Sequence, residues 1–207
     1  MTISLKLARV LAPVAVLASA SGVALAAPSA ELAQVETHLA SAQSMTADFI
    51  QTDARNRSLN GTLALKRPGR IRFDYGSANM LLVGNGKTLT FVDYEVGQKS
   101  AWPIAKSPLS VLLAAKPDLQ RIARVVPSED PRILLVRARD ARRPEFGTLI
   151  LAFVKSGSAP GGLLLEGWTA IDAQNKRTTV RLAGQRYNVA VPETSFTFAE
   201  PKKRKKT

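Results

Sequence analysis

Apolar and polar residues alternate along most of the chain after residue 43, and this period of two predicts a mainly β protein. Before a Pro-Gly turn, Leu63, Leu65 and Arg67 share one face of a predicted strand, and after it Ile71 and Phe73 share one face of the next. The same alternation predicts about eleven strands, at residues 45–52, 61–67, 70–75, 79–84, 87–93, 98–104, 121–127, 132–138, 147–154, 163–172 and 176–183. An antiparallel sheet of this size is expected to curl into a closed or a half barrel.

Two segments break the alternation and predict helices. The first begins near Ser29 or Ala30, and its apolar stripe consists of Leu32, Val35, Leu39 and Ala42. The second covers about 107–115 and carries an apolar stripe of Leu109, Leu112 and Leu113. Its start is predicted from Ser107 as the N-cap and Pro108 at the first helical position. These two helices are the elements expected to cover the open side of an incomplete barrel.

Arg67 is the exception on the apolar face of its strand, because strand parity places it with Leu63 and Leu65. A buried guanidinium needs hydrogen-bond acceptors, and backbone carbonyls of a covering helix are natural partners. Alternatively, Arg67 lies at the strand end and extends its charge to water. The residues alone leave these two interpretations open.

The first 26 residues have the pattern of a cleaved secretory signal peptide. Lys6 and Arg9 precede an apolar stretch over 10–25, and residues 24–26 give a small-x-small cleavage pattern. A single membrane anchor is the alternative, but the apolar stretch is short and interrupted. We therefore expect residues 27–200 to form one domain in the exported protein.

Of the net charge of +13, five charges lie in the last seven residues and two, Lys6 and Arg9, lie in the predicted signal peptide, so the domain between them is moderately basic at +6. Residues 201–207 contain no apolar side chain that could dock, so we expect a disordered tail. It is either simply solvated or attracted to an anionic membrane surface.

The chain offers little for catalysis or metal binding. It has one histidine, His38, and no cysteine. His38 lies beside the apolar stripe of the first helix and is interpreted as a surface or boundary residue. Acidic residues show no ligand spacing, and aromatic residues lie on apolar faces rather than among exposed basic ones. We therefore expect a binding protein that is not an enzyme, has no cofactor or metal, and does not bind nucleic acid.

Five motifs, in this order and spacing, resemble the periplasmic outer-membrane lipoprotein carrier family: "ALKRPGRIRFDY", "LLVGNGKTLTFVDYEVGQ", "SPLSVLLA", "GWTAIDAQNKRTTVRL" and "VPETSFTF". The resemblance covers about residues 30–200. It implies an incomplete β-barrel with a helical lid over an apolar cavity. It further implies a monomeric periplasmic carrier of acylated lipoproteins, which are received from an inner-membrane ATP-driven release complex and passed to an outer-membrane receptor.

The resemblance also assigns roles to residues. Arg67 matches the cavity arginine of the family and is expected to latch the lid, whose motif corresponds to Pro108, Leu109, Leu112 and Leu113. The acyl-chain cavity is expected to be lined by Leu63, Leu65, Ile71, Phe73, Leu89 and Phe91. Two other functions stay open on the same fold: a regulatory module that senses lipid or lipoprotein, and a carrier of another amphiphile such as a glycolipid.

Overall fold

Eleven antiparallel strands form a single open sheet in the computed structural model, which describes residues 29–202. The strands are β1 Ser44–Thr52, β2 Ser58–Lys66, β3 Arg70–Asp74, β4 Met80–Asn85, β5 Thr88–Asp93, β6 Gln98–Pro103, β7 Ala123–Val126, β8 Ile133–Ala138, β9 Thr148–Lys155, β10 Leu163–Ile171 and β11 Arg177–Tyr187. This confirms the predicted fold class. The predicted signal peptide and residues 203–207 of the tail lie outside the described residues.

The sheet consists of two meanders joined at its centre. β1 to β6 follow one another across the sheet, as do β7 to β11, and β1 pairs with β11 between them. The edges are therefore β6 and β7. The chain between these two edge strands carries α2 Ser110–Leu113 and α3 Leu119–Ile122, which lie with α1 Ala30–Ser41 against the inner face of the sheet. We define the inner face as the one that carries Leu63 and Leu65.

Helix α1 begins where the sequence predicts. The Ser29 side chain accepts a hydrogen bond from the backbone N–H of Leu32 (3.4 Å), which satisfies one of the free donors of the first turn. Leu32, Val35 and Leu39 are buried against the sheet. The apolar stripe therefore faces the core.

Helix α2 is shorter than the predicted helix over 107–115. Ser107 and Pro108 precede the α-helical residues, which begin at Ser110. Ser107 nevertheless has the geometry of a cap, because it is extended and its Oγ accepts from the N–H of Leu109 (3.2 Å). Its carbonyl accepts from the N–H of Ser110 (3.0 Å), so a single tight turn leads into the helix. Ala114 is again extended and ends the helix.

The predicted strand over 121–127 begins two residues late, because helix α3 occupies Leu119–Ile122. The carboxylate of Glu36 on α1 accepts from the N–H of Leu119 (2.9 Å), and the Leu119 side chain is fully buried. A contact from a distant helix thus caps this turn. Alternation within the segment itself does not reveal it.

A β-bulge extends β11 beyond the predicted end at 183. Asp48 pairs with Ala183, whereas Thr46 pairs with Arg186, so β11 has one extra residue here. Gly184 lies in this bulge with φ 62°, a conformation that suits glycine. The extra residue changes the parity of the strand, so that Arg186 faces outward and Tyr187 packs against the core on the inner face.

The outer face of β2–β5 is covered by the C-terminal segment, residues 188–200. Val191 and Phe196 are buried there in a second, smaller core with Leu81, Val83 and Val92. Among the described residues, no helix is long and apolar enough to cross a membrane.

Candidate functional site

The six predicted lining residues lie on the inner face and contact one continuous apolar core. Cross-strand pairing brings Leu63 opposite Phe73 and Leu65 opposite Ile71, with Leu89 and Phe91 farther along the sheet. All are buried except Phe91, which is half-buried and packs against the others. Parity therefore places them correctly on one face. That they contact acyl chains stays a prediction.

An aromatic cluster forms the centre of this inner face, and the sequence analysis missed two of its members. Phe49 packs edge-to-face against Phe73 and Tyr75, with ring centroids 5.1 and 5.2 Å apart. Trp168 on β10 approaches Phe73 at 6.0 Å. Phe49 and Trp168 come from opposite sides of the β1–β11 junction, and the alternation of β1 was the signal that could have identified Phe49.

The hydroxyl of Tyr75 stays protonated in this apolar environment. It donates to the side-chain carbonyl of Gln51 (3.0 Å). Burial raises the pKa of Tyr75 to about 12, despite this hydrogen bond. The inner face is therefore uncharged at Tyr75 at physiological pH.

Helices α1 and α2 close the inner face. Leu112 and Leu113 are at most 1% exposed and belong to the same core as the lining residues. Leu109 is half-buried and packs against that core, whereas half-buried Pro108 borders a small surface hollow of about 70 Å³ beside β8 and β9. We call residues 107–116 the lid. Its leucines occupy the space above the strands.

Arg67 joins the two covering helices. It follows the last residue of β2, and its backbone N–H donates to the carbonyl of Gln43 (2.8 Å). Its Nε donates to the carbonyl of Leu112 (3.1 Å), and its Nη1 donates to the carbonyl of Ala42. These carbonyls lie at the C-terminal ends of α2 and α1. The side chain, 7% exposed as a residue, therefore supplies donors that both helix ends lack. We call these two bonds the latch.

Arg67 carries its charge at physiological pH although burial disfavours it. Desolvation lowers the pKa of Arg67 from 12.5 to about 10. No ion pair joins Arg67 to another described residue; its acceptors are neutral carbonyls. The lid has a second attachment to the same turn, since the N–H of Gly69 donates to the carbonyl of Leu113 (2.9 Å).

The interpretation of His38 as a surface or boundary residue is wrong. His38 is 1% exposed, and its Nδ1 lies 2.8 Å from the carbonyl of Pro160. Its ring packs edge-to-face against Phe153 and Tyr187. The loop that contains Pro160 covers this side of α1, a tertiary contact that the helical period cannot reveal. Desolvation, reinforced by the charge of Arg67, lowers the pKa of His38, so the ring is neutral and serves packing.

Comparisons with known proteins agree with the geometry. The sequence model of "Outer membrane lipoprotein carrier protein LolA" matches residues 40–199. An outer-membrane lipoprotein carrier protein of Chromobacterium violaceum is 26% identical over 194 residues, which cover 89% of this chain and 91% of that protein. One of Coxiella burnetii is 25% identical over 146 residues, covering 67% of this chain and 66% of that protein.

Among solved structures, a LolA superfamily protein from Nitrosomonas europaea is similar over 81% of this chain and 97% of that chain. Its TM-score is 0.44 and its sequence identity is 10%. The assignment rests on the family match, which spans the Arg67 turn, the lid and all eleven strands. The chain belongs to the outer membrane lipoprotein carrier (LolA) family.

Proposed function

We propose that this protein is a periplasmic carrier that shields the acyl chains of lipoproteins between the inner face of the sheet and the lid. It receives its cargo from an inner-membrane ATP-driven release complex and delivers it to an outer-membrane receptor. The family assignment supports the carrier role, and the sequence pattern of residues 1–26 supports export.

The observation that carries the proposal is the latch. A charged side chain lies at the rim of an otherwise apolar layer and bonds the ends of both covering helices. A purely structural core does not need a buried cation, which is costly to desolvate. A cation that bonds two helix ends stabilises one specific closed state of the covering helices. Cargo must displace the helices from this state to enter.

The lining supplies the apolar surface that acyl chains require. Leu63, Leu65 and Phe73 are fully covered by the helices when the lid is closed. Displacing the lid leucines would expose this surface, and an acyl chain would cover it again. Each methylene group removed from water contributes about 0.8 kcal/mol. A chain of a dozen or more methylenes therefore cannot cross an aqueous compartment unprotected.

Energetics also explain the need for partners. A bilayer shields acyl chains as well as a protein cavity does, so extraction from a membrane gains little from burial alone. Loading must also break the latch bonds of Arg67. The inner-membrane partner therefore supplies the energy of loading, and an outer-membrane receptor with modestly higher affinity completes delivery.

Mass spectrometry of whatever co-purifies with the protein from the cell envelope tests the proposal. Triacylated protein or lipopeptide is the expected ligand. Free glycolipid would identify a carrier of another amphiphile, and the absence of any apolar ligand would contradict both. Phe91→Asp places a charge on the inner face and should abolish co-purification. Ala101→Asp is the matched control, because Ala101 lies exposed on β6, where it pairs with outward-facing Thr90.

A further inference from the structure

A groove runs along the outer face of β1, on the side of the sheet opposite the lid. It consists of three adjoining hollows of about 740, 360 and 370 Å³. Ile50 and Arg181 border both the first and the second hollow, and Asp48 and Thr62 border both the second and the third. We call these three hollows together the outer groove.

One wall of the outer groove carries three arginines of β11. Arg177 and Arg181 face outward by parity, and the bulge at Gly184 turns Arg186 to the same face. All three are exposed, and none forms an ion pair with another described residue. Without the extra residue of the bulge, Arg186 would face the core. The bulge therefore completes a row of three cations.

The acidic residues that line the groove do not balance these three cations. Asp48 lies within the groove, but Asp53, at one end of it, is already bonded to Arg57 through two side-chain hydrogen bonds. The row of arginines thus has the charge to attract an acidic ligand.

One further feature indicates a ligand that contacts the floor of the groove. Ile50 is 52% exposed, the highest value among the large apolar residues of the described chain. An apolar contact is therefore available along the groove.

The shape of the groove favours an extended polypeptide over a lipid headgroup or a flat membrane. From Arg177 to Arg186 the strand advances about 30 Å at about 3.3 Å per residue, which matches about nine residues of extended chain. The sheet already holds a chain segment on this face, because Arg72 donates to the carbonyl of Ser195, which lies in a 3₁₀ turn, and to that of Thr197, which is extended. Arg72 also borders the groove, so the C-terminal segment lies beside it.

We propose that the outer groove is a second binding site, which holds an extended acidic segment of a partner polypeptide. Carboxylates of that segment bond Arg177, Arg181 and Arg186, and its apolar side chains cover Ile50. The site lies on the opposite face of the sheet from the acyl-chain layer, so both sites can be occupied together.

Fluorescence anisotropy tests the proposal with a fluorescein-labelled nine-residue peptide of alternating glutamate and serine. The double variant Arg181→Gln/Arg186→Gln should weaken binding about tenfold. The control Arg137→Gln/Arg142→Gln removes the same charge from two exposed arginines of the β8 region, which likewise form no ion pair within residues 29–202. Binding to the control should stay within about twofold of wild type.

Three outcomes would overturn the proposal. The first is no binding of the glutamate peptide, and the second is equal loss in both double variants, which shows attraction to net charge alone. The third is binding to phosphatidylglycerol-containing vesicles that depends on Arg181 and Arg186 while the peptide does not compete. The Arg181→Gln/Arg186→Gln variant should co-purify with as much lipid as wild type. A failure of the second binding site can therefore be distinguished from a failure of the carrier function.

Discussion

Replacement of Arg67 by leucine should loosen the lid without unfolding the protein. Leucine keeps apolar bulk at the site and removes both latch bonds, to the carbonyls of Leu112 and Ala42. The bond from Gly69 to Leu113 stays, since it uses a backbone donor. The substitution therefore acts on the closed state of the lid rather than on the sheet.

The magnitudes limit the loss of global stability to about 3 kcal/mol. Hydrogen bonds from a charged donor contribute about 1.5–3 kcal/mol each, so two contribute about 3–6 kcal/mol. Against this, burial lowers the pKa of Arg67 from 12.5 to about 10, which corresponds to a cost of about 3 kcal/mol for holding the charge. Replacement by leucine removes both the hydrogen-bond contribution and the cost of holding the charge. The carbonyl of Leu112 then lacks its donor until the lid opens to water, so opening should become at least about tenfold more frequent.

Hydrogen exchange measures this opening directly. The amides of Leu113 and Ala114 bond to the carbonyls of Leu109 and Ser110 in the closed lid, and their exchange should accelerate at least about tenfold in Arg67→Leu. Amides of the β1–β11 pair serve as the internal reference. Their exchange should not change.

Arg70→Leu is the matched control. Arg70 lies on the opposite face near the same turn, and its ion pair with Glu193 (2.9 Å) is partly exposed, so it contributes at most about 1 kcal/mol. This variant should leave lid exchange unchanged. Unchanged exchange in Arg67→Leu would refute the latch, and so would equal acceleration in both variants.

The functional expectation follows: Arg67→Leu accepts lipoprotein, holds it longer and delivers it poorly, with Arg67→Lys intermediate because lysine loses the planar fork.

Three further predictions concern the core, the histidine and the tail. Phe73→Ala should lower the free energy of unfolding by about 3–5 kcal/mol because a fully buried ring leaves a cavity; a loss below about 1 kcal/mol in urea titrations would contradict this. Burial keeps the pKa of His38 below 6.5 in the folded state, so the unfolded chain binds the proton more readily and stability falls as pH drops below about 6.5. His38→Gln should show less of this loss between pH 7 and pH 5, and an identical loss in urea titrations would exclude His38 as its cause. Deletion of residues 202–207 should reduce salt-sensitive association with anionic vesicles and leave acyl-chain affinity unchanged. Vesicle flotation measures the association, and lipopeptide titration measures the affinity. A large fall in lipopeptide affinity would show that the tail acts in cargo binding.

The sheet was predictable because its inner face is buried and most of its strands alternate without a break. Parity alone placed Arg67 on the side of Leu63 and Leu65, and the structure shows it buried there. From the residues alone, however, a latch and a strand-end arginine were equally compatible with that parity. The distinction depends on where the carbonyls of Ala42 and Leu112 lie, and these are separated from Arg67 by 25 and 45 positions.

The predictions that were wrong concern features that depend on tertiary contacts. The alternation rule requires an unbroken pleat, so it ended β11 at 183, before the bulge that redirects Arg186. The start of α3 depends on a bond from Glu36, which lies 83 positions earlier. His38 has a polar ring in a buried position because a loop 122 positions away supplies its acceptor. In each case the deciding partner is distant in sequence, where local patterns carry no information.

Photo-crosslinking from the inner face tests whether acyl chains bind between the sheet and the lid. The photoreactive amino acid p-benzoylphenylalanine would replace Phe91, which is aromatic, half-buried and directed at the apolar layer, or Arg137 on the outer face as the control. The protein would then be loaded with a triacylated lipopeptide and irradiated. We expect a crosslink to the acyl chains at position 91 and none at position 137. A crosslink at 137 alone, or at neither position with bound lipopeptide present, would contradict this expectation.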